Sequence, residues 1–459
     1  MGQDEAFSLT LTRLPWGQMM DSIIKDFVHP PLHYFALCVW FKLFGFSVLQ
    51  ARLLSTCFGV LAILLIYWLV RYLFESRTAL LSSALLAVSQ LGVMFSQEAR
   101  PYALLLFLVL FSSCLFAKAL REKRAVAWLG FVLSSALMVY THYYGALVLI
   151  AFLLYAILYR KQYALPRSWW VGGAILILIL YAPWLSSGIV QQALSAPKTH
   201  SGVNPWWAVH WWTPFTATNA FNNGKWSGLL DPAPLWTFVV GGLLFTVPAL
   251  LALKPLLAGT GDELRQRLDR EGVLFLALLW LLPLLLVLGM GIVSIQYNVR
   301  YMAFSAAPYY ALVARGISAL PSRRLRGAVI ALLLAYSVSS LRANYFVPWK
   351  EQFRQSVDYV LAHHSQGDCC VFLPFGVPRQ WTITQGSRLP VLSVTTAELL
   401  VSEPSKCRRV WVIAESFQGN QWVWRRSEAG RRQIETTHAK VGQKRYFGVD
   451  IDLYSLRGQ

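Results

Sequence analysis

The sequence predicts a mainly α-helical protein that crosses a membrane many times and ends in a small α/β domain. Of its 459 residues, 56% are hydrophobic and only 14% are charged, whereas soluble domains carry about 25% charged residues. Several stretches approach the roughly 20 apolar residues needed to cross a bilayer. The composition becomes more polar near residue 347. We therefore expect a transmembrane domain over residues 1–346 and a soluble, extracytoplasmic α/β domain over residues 347–459.

Ten apolar stretches account for the predicted membrane domain. Their central portions contain almost no Asp, Glu, Lys or Arg, and the ionisable residues collect at their ends. Such segments are typical of transmembrane helices. They cover approximately residues 53–70, 78–96, 102–117, 125–141, 143–159, 169–187, 234–253, 272–293, 302–320 and 327–345.

Basic residues are distributed unequally between alternate connections of these segments. Seventeen Lys and Arg residues lie on one set of connections, and four lie on the other. Because cytoplasmic loops are enriched in Lys and Arg, the first set is expected to face the cytoplasm. The net charge of +19 then largely reflects topology, and no nucleic-acid partner is expected. An even number of spans with an outer C-terminus also requires an outer N-terminus, so we expect a further helix before Asp4.

The region after residue 347 alternates between helical and strand-like patterns. A helical pattern over residues 353–361 precedes CCVFLPF, and TTAELL, RVWVIAE and YFGVDIDLYSL follow. This alternation is typical of an α/β domain. A disulfide from Cys369 or Cys370 to Cys407 is compatible with an extracytoplasmic location of this domain.

Ionisable and aromatic residues gather at the predicted outer ends of the spans. Such groups are costly at a lipid boundary unless they are paired or functional. The residues at these outer ends are Asp4 and Glu5 at the start, Asp26 and His29 in DFVHPPLHY, Glu98, Arg100 and Tyr102 in SQEARPYAL, His142 and Tyr143 in YTHYYG, and Arg300 and Tyr301 in QYNVRY.

Each of these signals also has a plainer explanation. Arg100 and Arg300 could reach for lipid headgroups, and His142 with its tyrosine neighbours fits an interfacial aromatic belt. Asp4 and Glu5 could complement a helix dipole. The outer connections are otherwise poor in positive charge, and the order of the motifs favours a common site.

The motifs together resemble a known enzyme family. DEAFS, followed by D-x-x-HPPL and by LFGFSVLQARLLS, is similar to the first extracytoplasmic loop of the GT-C type integral-membrane glycosyltransferases. The similar branch is the family 39-like group of protein O-mannosyltransferases and the lipid A aminoarabinose transferase. SQEARPYAL, YTHYYGALVL and VRYMAFSAAPYYALVARG recur there at similar places. The family has a transmembrane helix before the DE pair, and this sequence does not.

The resemblance implies a GT-C fold and transfer of a hexosyl or pentosyl group from a polyprenyl-phosphate carrier. The acceptor would be a glycan, lipid or protein outside the cytoplasm, and the enzyme would lie in the bacterial inner (plasma) membrane. Asp4 would be the general base, with Glu5 or Asp26 holding the sugar or acceptor. Arg100, Arg300 and His142 would stabilise the leaving phosphate. His29, Glu98, Tyr102, Tyr143 and Tyr301 would complete the donor-binding set.

Several alternatives stay open from the sequence. A divalent cation held by Asp4, Asp26 or His29 is compatible with the residues, but no spacing requires one, and no other cofactor is expected. The tryptophan-rich segment 188–233 could bind sugar or lie in the membrane interface. A transporter or flippase of lipid-linked glycans is the alternative function, although uncharged span centres and the lack of a visible repeat favour the enzyme. The sugar, the acceptor and the carrier length are not specified.

Overall fold

The computed structural model describes residues 3–26, 29–189, 235–257, 264–293, 299–346, 352–373, 393–394, 402, 407–416, 421–446 and 448–458. The chain divides into two compact units. The membrane unit comprises residues 11–219 and 233–342, and the C-terminal unit comprises residues 1–10, 220–232 and 343–459.

All secondary-structure elements described in the membrane unit are helices. Its helices are α2 (Trp16–Asp26), α3 (Leu32–Phe44), α4 (Val48–Leu73), α5 (Ser76–Ala87), α6 (Gln90–Ser96), α7 (Tyr102–Glu122), α8 (Ala125–Thr141), α9 (Gly145–Leu158), α10 (Arg160–Tyr163), α11 (Arg167–Trp184), α12 (Leu235–Ala252), α13 (Lys254–Leu257), α14 (Leu264–Val293), α15 (Ala306–Ser318) and most of α16 (Arg323–Phe346). A π-helical turn, Leu185–Ile189, follows α11, and a 3-10 turn, Val299–Ser305, precedes α15.

Six helical segments in the described part of the chain are long and apolar enough to cross a bilayer. They are Val48–Leu73, Tyr102–Glu122, Arg167–Ile189, Val239–Leu257, Gln266–Val287 and Arg323–Leu341. A seventh crossing exists if α5 and α6, which meet at an angle of 58°, form one broken span. The protein is thus an integral membrane protein with several spans, as the sequence predicts.

The prediction of ten full spans is not confirmed, although each predicted stretch contains a helix. Three of those helices are short, since α8 has 17 residues, α9 has 14 and α15 has 13. At 1.5 Å per residue they rise about 20–26 Å, less than the roughly 30 Å of a hydrocarbon core. Hydropathy detected the apolar stretches, but the turns that shorten these helices depend on local packing.

Helix α15 lies in the interior of the membrane unit. Nearly all of its side chains are buried, and it packs against α5, α12 and α14. Arg315 near its end donates two hydrogen bonds to the carboxylate of Asp269 on α14, at 2.6 and 2.7 Å. At Gly316, the helix passes directly over the backbone of α12, because a Cβ atom there would lie 1.8 Å from the carbonyl oxygen of Pro248.

Replacing Gly316 by alanine is expected to destabilise the membrane unit. The added methyl group has no room, so α12 and α15 must separate, and overpacking of this kind costs about 1–3 kcal/mol. Thermal unfolding in detergent measures the effect. Gly327→Ala on α16 is the matched control, because no atom lies within 4 Å of its Cβ position. Equal melting temperatures for the two variants would contradict this close helix crossing.

In its described residues, the C-terminal unit contains a five-stranded mixed sheet. Its strands are β1 (Cys369–Leu373), β2 (Ser393–Val394), β3 (Arg409–Glu415), β4 (His438–Tyr446) and β5 (Val449–Leu456), in the order β2-β1-β3-β5-β4. Strands β1, β2 and β3 are parallel, whereas β5 pairs antiparallel with β3 and with β4. The unit also contains most of α1 (Gln3–Leu11), together with α17 (Phe353–His363) and α18 (Gln421–Glu435).

Both faces of the central strands β1 and β3 are buried. Alternate side chains of a strand point to opposite faces, so Cys370 and Phe372 pack with α17 on one face. Cys369 and Val371 pack with Ile434 of α18 on the other. This is the α/β arrangement that the sequence predicts, with α17, β1 and β3 at the expected places, whereas α18 and most of β4 were not predicted. TTAELL lies outside the described residues.

A disulfide joins Cys369 to Cys407, with their Cα atoms 5.7 Å apart. It connects β1 to the residues that lead into β3. The neighbouring Cys370 is a buried free thiol. Of the two pairings left open by the sequence, the structure therefore contains the one through Cys369.

Candidate functional site

The turn between α6 and α7 carries the SQEARPY motif. Pro101 precedes the first residue of α7, a position that suits proline because its missing N–H has no partner in a helix. The N–H of Arg100 donates to the carbonyl of Glu98 at 2.8 Å. The start of this turn is fixed by α4, since the Thr56 hydroxyl donates to the Ser96 carbonyl at 2.8 Å. The fold thereby directs Arg100 into the interior, where it is only 5% exposed.

The DFVHPPLHY motif supplies the imidazole that contacts Arg100. Pro31 caps α3, and its carbonyl accepts from the Phe35 N–H at 3.1 Å. His29, just before this helix, is buried. Its ring nitrogens lie 3.3 and 3.4 Å from Nη2 of Arg100. Nη2 of the guanidinium is therefore in direct contact with the ring of His29.

The YTHYYG motif forms a tight turn at the end of α8. Tyr144 donates its backbone N–H to Nδ1 of His142 at 3.1 Å, so the proton of the neutral ring lies on Nε2. Gly145 donates to the His142 carbonyl at 2.9 Å. A Cβ atom at Gly145 would lie 2.8 Å from the Met138 carbonyl oxygen. The turn therefore requires glycine at this position.

These three motifs converge on one buried cluster. The rings of His29 and His142 meet edge to face, with centroids 5.2 Å apart. Tyr102 lies 6.2 Å from His29 and 6.3 Å from His142. We call His29, Arg100, Tyr102 and His142 the Arg100 cluster. A guanidinium beside neutral imidazoles is suited to binding an anion, above all a phosphate.

His33 is a further buried histidine near this cluster, and it was not among the predicted site residues. It lies in the first turn of α3, four residues after His29. Burial, and second the charge of Arg100, lowers the pKa of His33 to about 3. The same two causes lower the pKa of His142 to about 3. The spacing of His33 from His29 was the signal available in the sequence, but this spacing alone does not distinguish a site residue from an ordinary core residue.

The lowered pKa values of His33 and His142 predict that the protein loses stability in acid. A histidine with a pKa near 3 when folded and 6.5 when unfolded is protonated only in the unfolded state between these values. Stability therefore falls as the pH falls below 6.5, by about 2 kcal/mol for each histidine at pH 5. The melting temperature in detergent at pH 7.5 and pH 5 measures this loss. The drop in melting temperature should be smaller in a His33→Gln, His142→Gln double variant than in wild type. His363→Gln is the control variant. An equal drop in His363→Gln and in the double variant would show that His33 and His142 do not cause the loss of stability.

Asp26 lies at the end of α2 and is half-buried. Its charge acts on Tyr143, the residue after His142. Asp26 is thus close enough to Tyr143 for its charge to act on that phenol. Its assignment as a partner of the catalytic base stays a prediction.

The remaining predicted residues are less completely described. Asp4 and Glu5 lie in the first turn of α1, where Asp4 is exposed and Glu5 is buried. Glu98 is half-buried in the turn that carries Arg100. The backbone of Arg300 and Tyr301 lies in the 3-10 turn, which contacts α7 and α14, but their side chains lie outside the description. The roles of all five residues stay predictions.

No group of three or more His, Cys, Asp or Glu residues suited to a metal ion occurs in the parts of the chain that the structure describes. The expectation of a divalent cation is therefore neither supported nor tested. The tryptophan-rich segment also lies outside the described residues, apart from its first two positions.

The family comparison concerns the stretch that carries most of this cluster. Residues 28–186 match the sequence model of the dolichyl-phosphate-mannose-protein mannosyltransferase family. An uncharacterised protein of Aquifex aeolicus (strain VF5) is 26% identical over 157 residues, which are 34% of this chain and 32% of that protein. The matched stretch thus spans about a third of this curated relative.

Solved structures resemble the chain over almost its whole length. An oligosaccharyltransferase, AglB of Archaeoglobus fulgidus, in complex with an inhibitory peptide and a dolichol-phosphate, has a TM-score of 0.52 at 12% identity, covering 100% of this chain and 70% of that one. ArnT of Cupriavidus metallidurans bound to undecaprenyl phosphate has a TM-score of 0.44 at 12% identity, covering 93% and 88%. At such identities, the likeness to AglB establishes the fold alone. The resemblance predicted from the motifs is thus confirmed: the chain has the GT-C fold, and residues 28–186 match the dolichyl-phosphate-mannose-protein mannosyltransferase family.

Proposed function

We propose that this protein is a glycosyltransferase that moves a sugar from a polyprenyl-phosphate carrier to an acceptor. The observation that carries the proposal is the Arg100 cluster. Its guanidinium is buried beside imidazoles from two other motifs, and its positive charge acts on both His33 and His142. A fixed cation of this kind stabilises the negative charge that grows on a departing phosphate.

The reaction requires one bond to form and one to break. An acceptor hydroxyl or amine attacks the anomeric carbon, and the bond from that carbon to the carrier phosphate breaks. The phosphate leaves with the electron pair, and Arg100 compensates its charge. The proton of the acceptor passes to a carboxylate, for which Asp4 is the candidate base and Asp26 the candidate partner.

The fold supports this reaction class. A GT-C neighbour, AglB, was solved with a dolichol-phosphate, which is a polyprenyl-phosphate type lipid. The family matched by residues 28–186 is named for a dolichyl-phosphate sugar donor. We extend this donor class to the present chain. A hexosyl or pentosyl group and a glycan, lipid or protein acceptor complete the proposal.

We place the site on the extracytoplasmic side of a bacterial inner membrane. The distribution of basic residues supports this orientation. The Cys369–Cys407 disulfide supports an oxidising environment for the C-terminal unit, because disulfides persist mainly outside the cytoplasm. The centres of the predicted spans contain almost no ionisable residues, whereas transporter sites usually lie near the midplane. This favours the enzyme over a transporter or flippase.

A transfer assay tests the proposed function. Purified protein is incubated with radiolabelled polyprenyl-phosphate sugars and a cell-envelope acceptor fraction, and we expect label to move from the carrier to the acceptor. The same assay with EDTA decides whether a divalent cation takes part. Movement of the intact lipid-linked sugar across a vesicle membrane, with no transfer from any donor, would favour the flippase instead.

A further inference from the structure

The connection between α3 and α4 exposes a group of large apolar side chains. Helix α3 ends at Phe44, Gly45 turns the chain with a φ of 83°, which suits glycine, and α4 begins at Val48. Leu43, in the last turn of α3, is 70% exposed. We call the exposed apolar residues of this connection and its flanking turns the α3–α4 elbow: Val39, Leu43, Phe44, Phe46 and Leu49.

Contacts between the two helices fix the geometry of the elbow. The indole Nε1 of Trp40 on α3 donates to Oε1 of Gln50 on α4 at 3.2 Å. Ser47 caps α4, because its Oγ accepts from the Gln50 N–H at 3.0 Å. The rings of Phe41 and Phe46 pack across the turn, with centroids 4.8 Å apart. The elbow therefore presents its apolar side chains as a defined surface.

This surface continues the lipid-facing side of α4. Helix α4 is long and apolar enough to cross a bilayer, and it exposes Leu53, Val60 and Leu64. Leu49 of the elbow lies four residues before Leu53, so the two side chains share one face of the helix. Contiguous exposed apolar surface marks an interaction site. Because this surface runs from a membrane span onto the elbow, lipid acyl chains are the occupant that fits it.

Helix α3 itself is too short to cross the bilayer. Its 13 residues rise about 20 Å, less than the roughly 30 Å of a hydrocarbon core, and Tyr34 and Leu37 are buried against the protein. Positive charge accompanies the elbow, since Lys42 is exposed and the Arg13 guanidinium lies 4.0 Å from the centre of the Phe46 ring. Cationic side chains beside an exposed apolar face are typical of a helix at the membrane surface.

We propose that the α3–α4 elbow inserts among the acyl chains of one leaflet and anchors α3 at the membrane surface. Helix α3 begins shortly after His29, a member of the Arg100 cluster. Insertion of the elbow therefore sets the depth of this cluster relative to the lipid headgroups of the same leaflet. The inference concerns contact with ordinary membrane lipid and does not rest on the proposed function.

Spin labels measure this insertion. The free cysteines that are not buried, Cys38, Cys57 and Cys114, are replaced by alanine in the full chain. A single cysteine for a nitroxide label is then introduced by Leu43→Cys or by Val39→Cys. Each labelled protein is reconstituted into vesicles of phosphatidylethanolamine and phosphatidylglycerol.

Two collision reagents report where each label lies. Oxygen concentrates in the lipid, whereas a nickel chelate stays in water, so the ratio of the two accessibilities rises with depth. Asp21→Cys is the water control, because Asp21 is exposed on α2, and Val60→Cys on α4 is the deep lipid control. We expect the ratio at both elbow positions to lie above that at Asp21→Cys and below that at Val60→Cys.

Three results would overturn the proposal. A ratio at both elbow positions equal to that at Asp21→Cys would show that the elbow faces water. Exclusion of both reagents would show that protein covers the elbow, and a ratio as high as that at Val60→Cys would place α3 across the bilayer. Failure of sugar transfer in the same protein would contradict the proposed function and leave this inference standing.

Discussion

Replacing Arg100 by alanine is expected to reduce kcat/KM for sugar transfer by about 10²–10³-fold, a typical effect of losing one preorganised charge-stabilising group. The guanidinium is buried and contacts His29, so the lost positive charge cannot be replaced by water at the same position. The KM for the donor should rise, and the rate at which the phosphate leaves should fall. Steady-state kinetics with a defined polyprenyl-phosphate sugar measure the effect.

Two further variants make this result specific. Arg100→Lys keeps the charge but loses the planar fork of donors, so its activity should fall between those of wild type and alanine. Arg124→Ala is the matched control, because Arg124 is 72% exposed and pairs only loosely with Glu122 at 3.5 Å. Unchanged donor KM and kcat in folded Arg100→Ala protein would remove Arg100 from the phosphate site.

Replacing Asp4 by asparagine is expected to lower kcat by about 10²–10⁴-fold, the contribution typical of a general base. Asparagine keeps the size and hydrogen-bonding capacity of the side chain but cannot accept the proton of the acceptor. The donor KM should change little, because the proposed phosphate-binding group is Arg100 rather than Asp4. Initial rates at saturating donor and acceptor measure the loss.

Asp21→Asn provides the control for this substitution, since Asp21 is an exposed carboxylate on α2. Binding of bare polyprenyl phosphate by Asp4→Asn protein should match that of wild type, which shows that the site is intact. A wild-type turnover rate in Asp4→Asn protein would show that another group serves as the base. Asp26 and Glu5 would then be the next residues to replace.

Much of the fold could be predicted because its signals are local. Apolar runs gave the helical segments, and the prolines of HPPL and EARPY indicated helix starts that the structure contains. The prediction of ten full spans is not confirmed, because α9 and α15 in the described residues are shorter than a bilayer core and hydropathy does not resolve the turns that end them. In the C-terminal unit, α18 was missed because its sequence, QWVWRRSEAGRRQIE, is highly polar and reads as surface.

The site shows a similar division between local and distant signals. His29, Arg100 and His142 could be selected from motifs, since each lies in a turn at a helix end. The order of the motifs predicted a common site, but the burial of these three side chains could not be predicted, because it arises from packing between helices far apart in sequence.

The most direct test of the central claim is an experimental structure of the wild-type protein with a polyprenyl-phosphate sugar bound. We expect a phosphate oxygen within about 3 Å of the Arg100 guanidinium, the distance of a charge-assisted hydrogen bond, with His29 and His142 beside it. A phosphate bound at another part of the protein, with the Arg100 cluster still closed around its own side chains, would contradict the account.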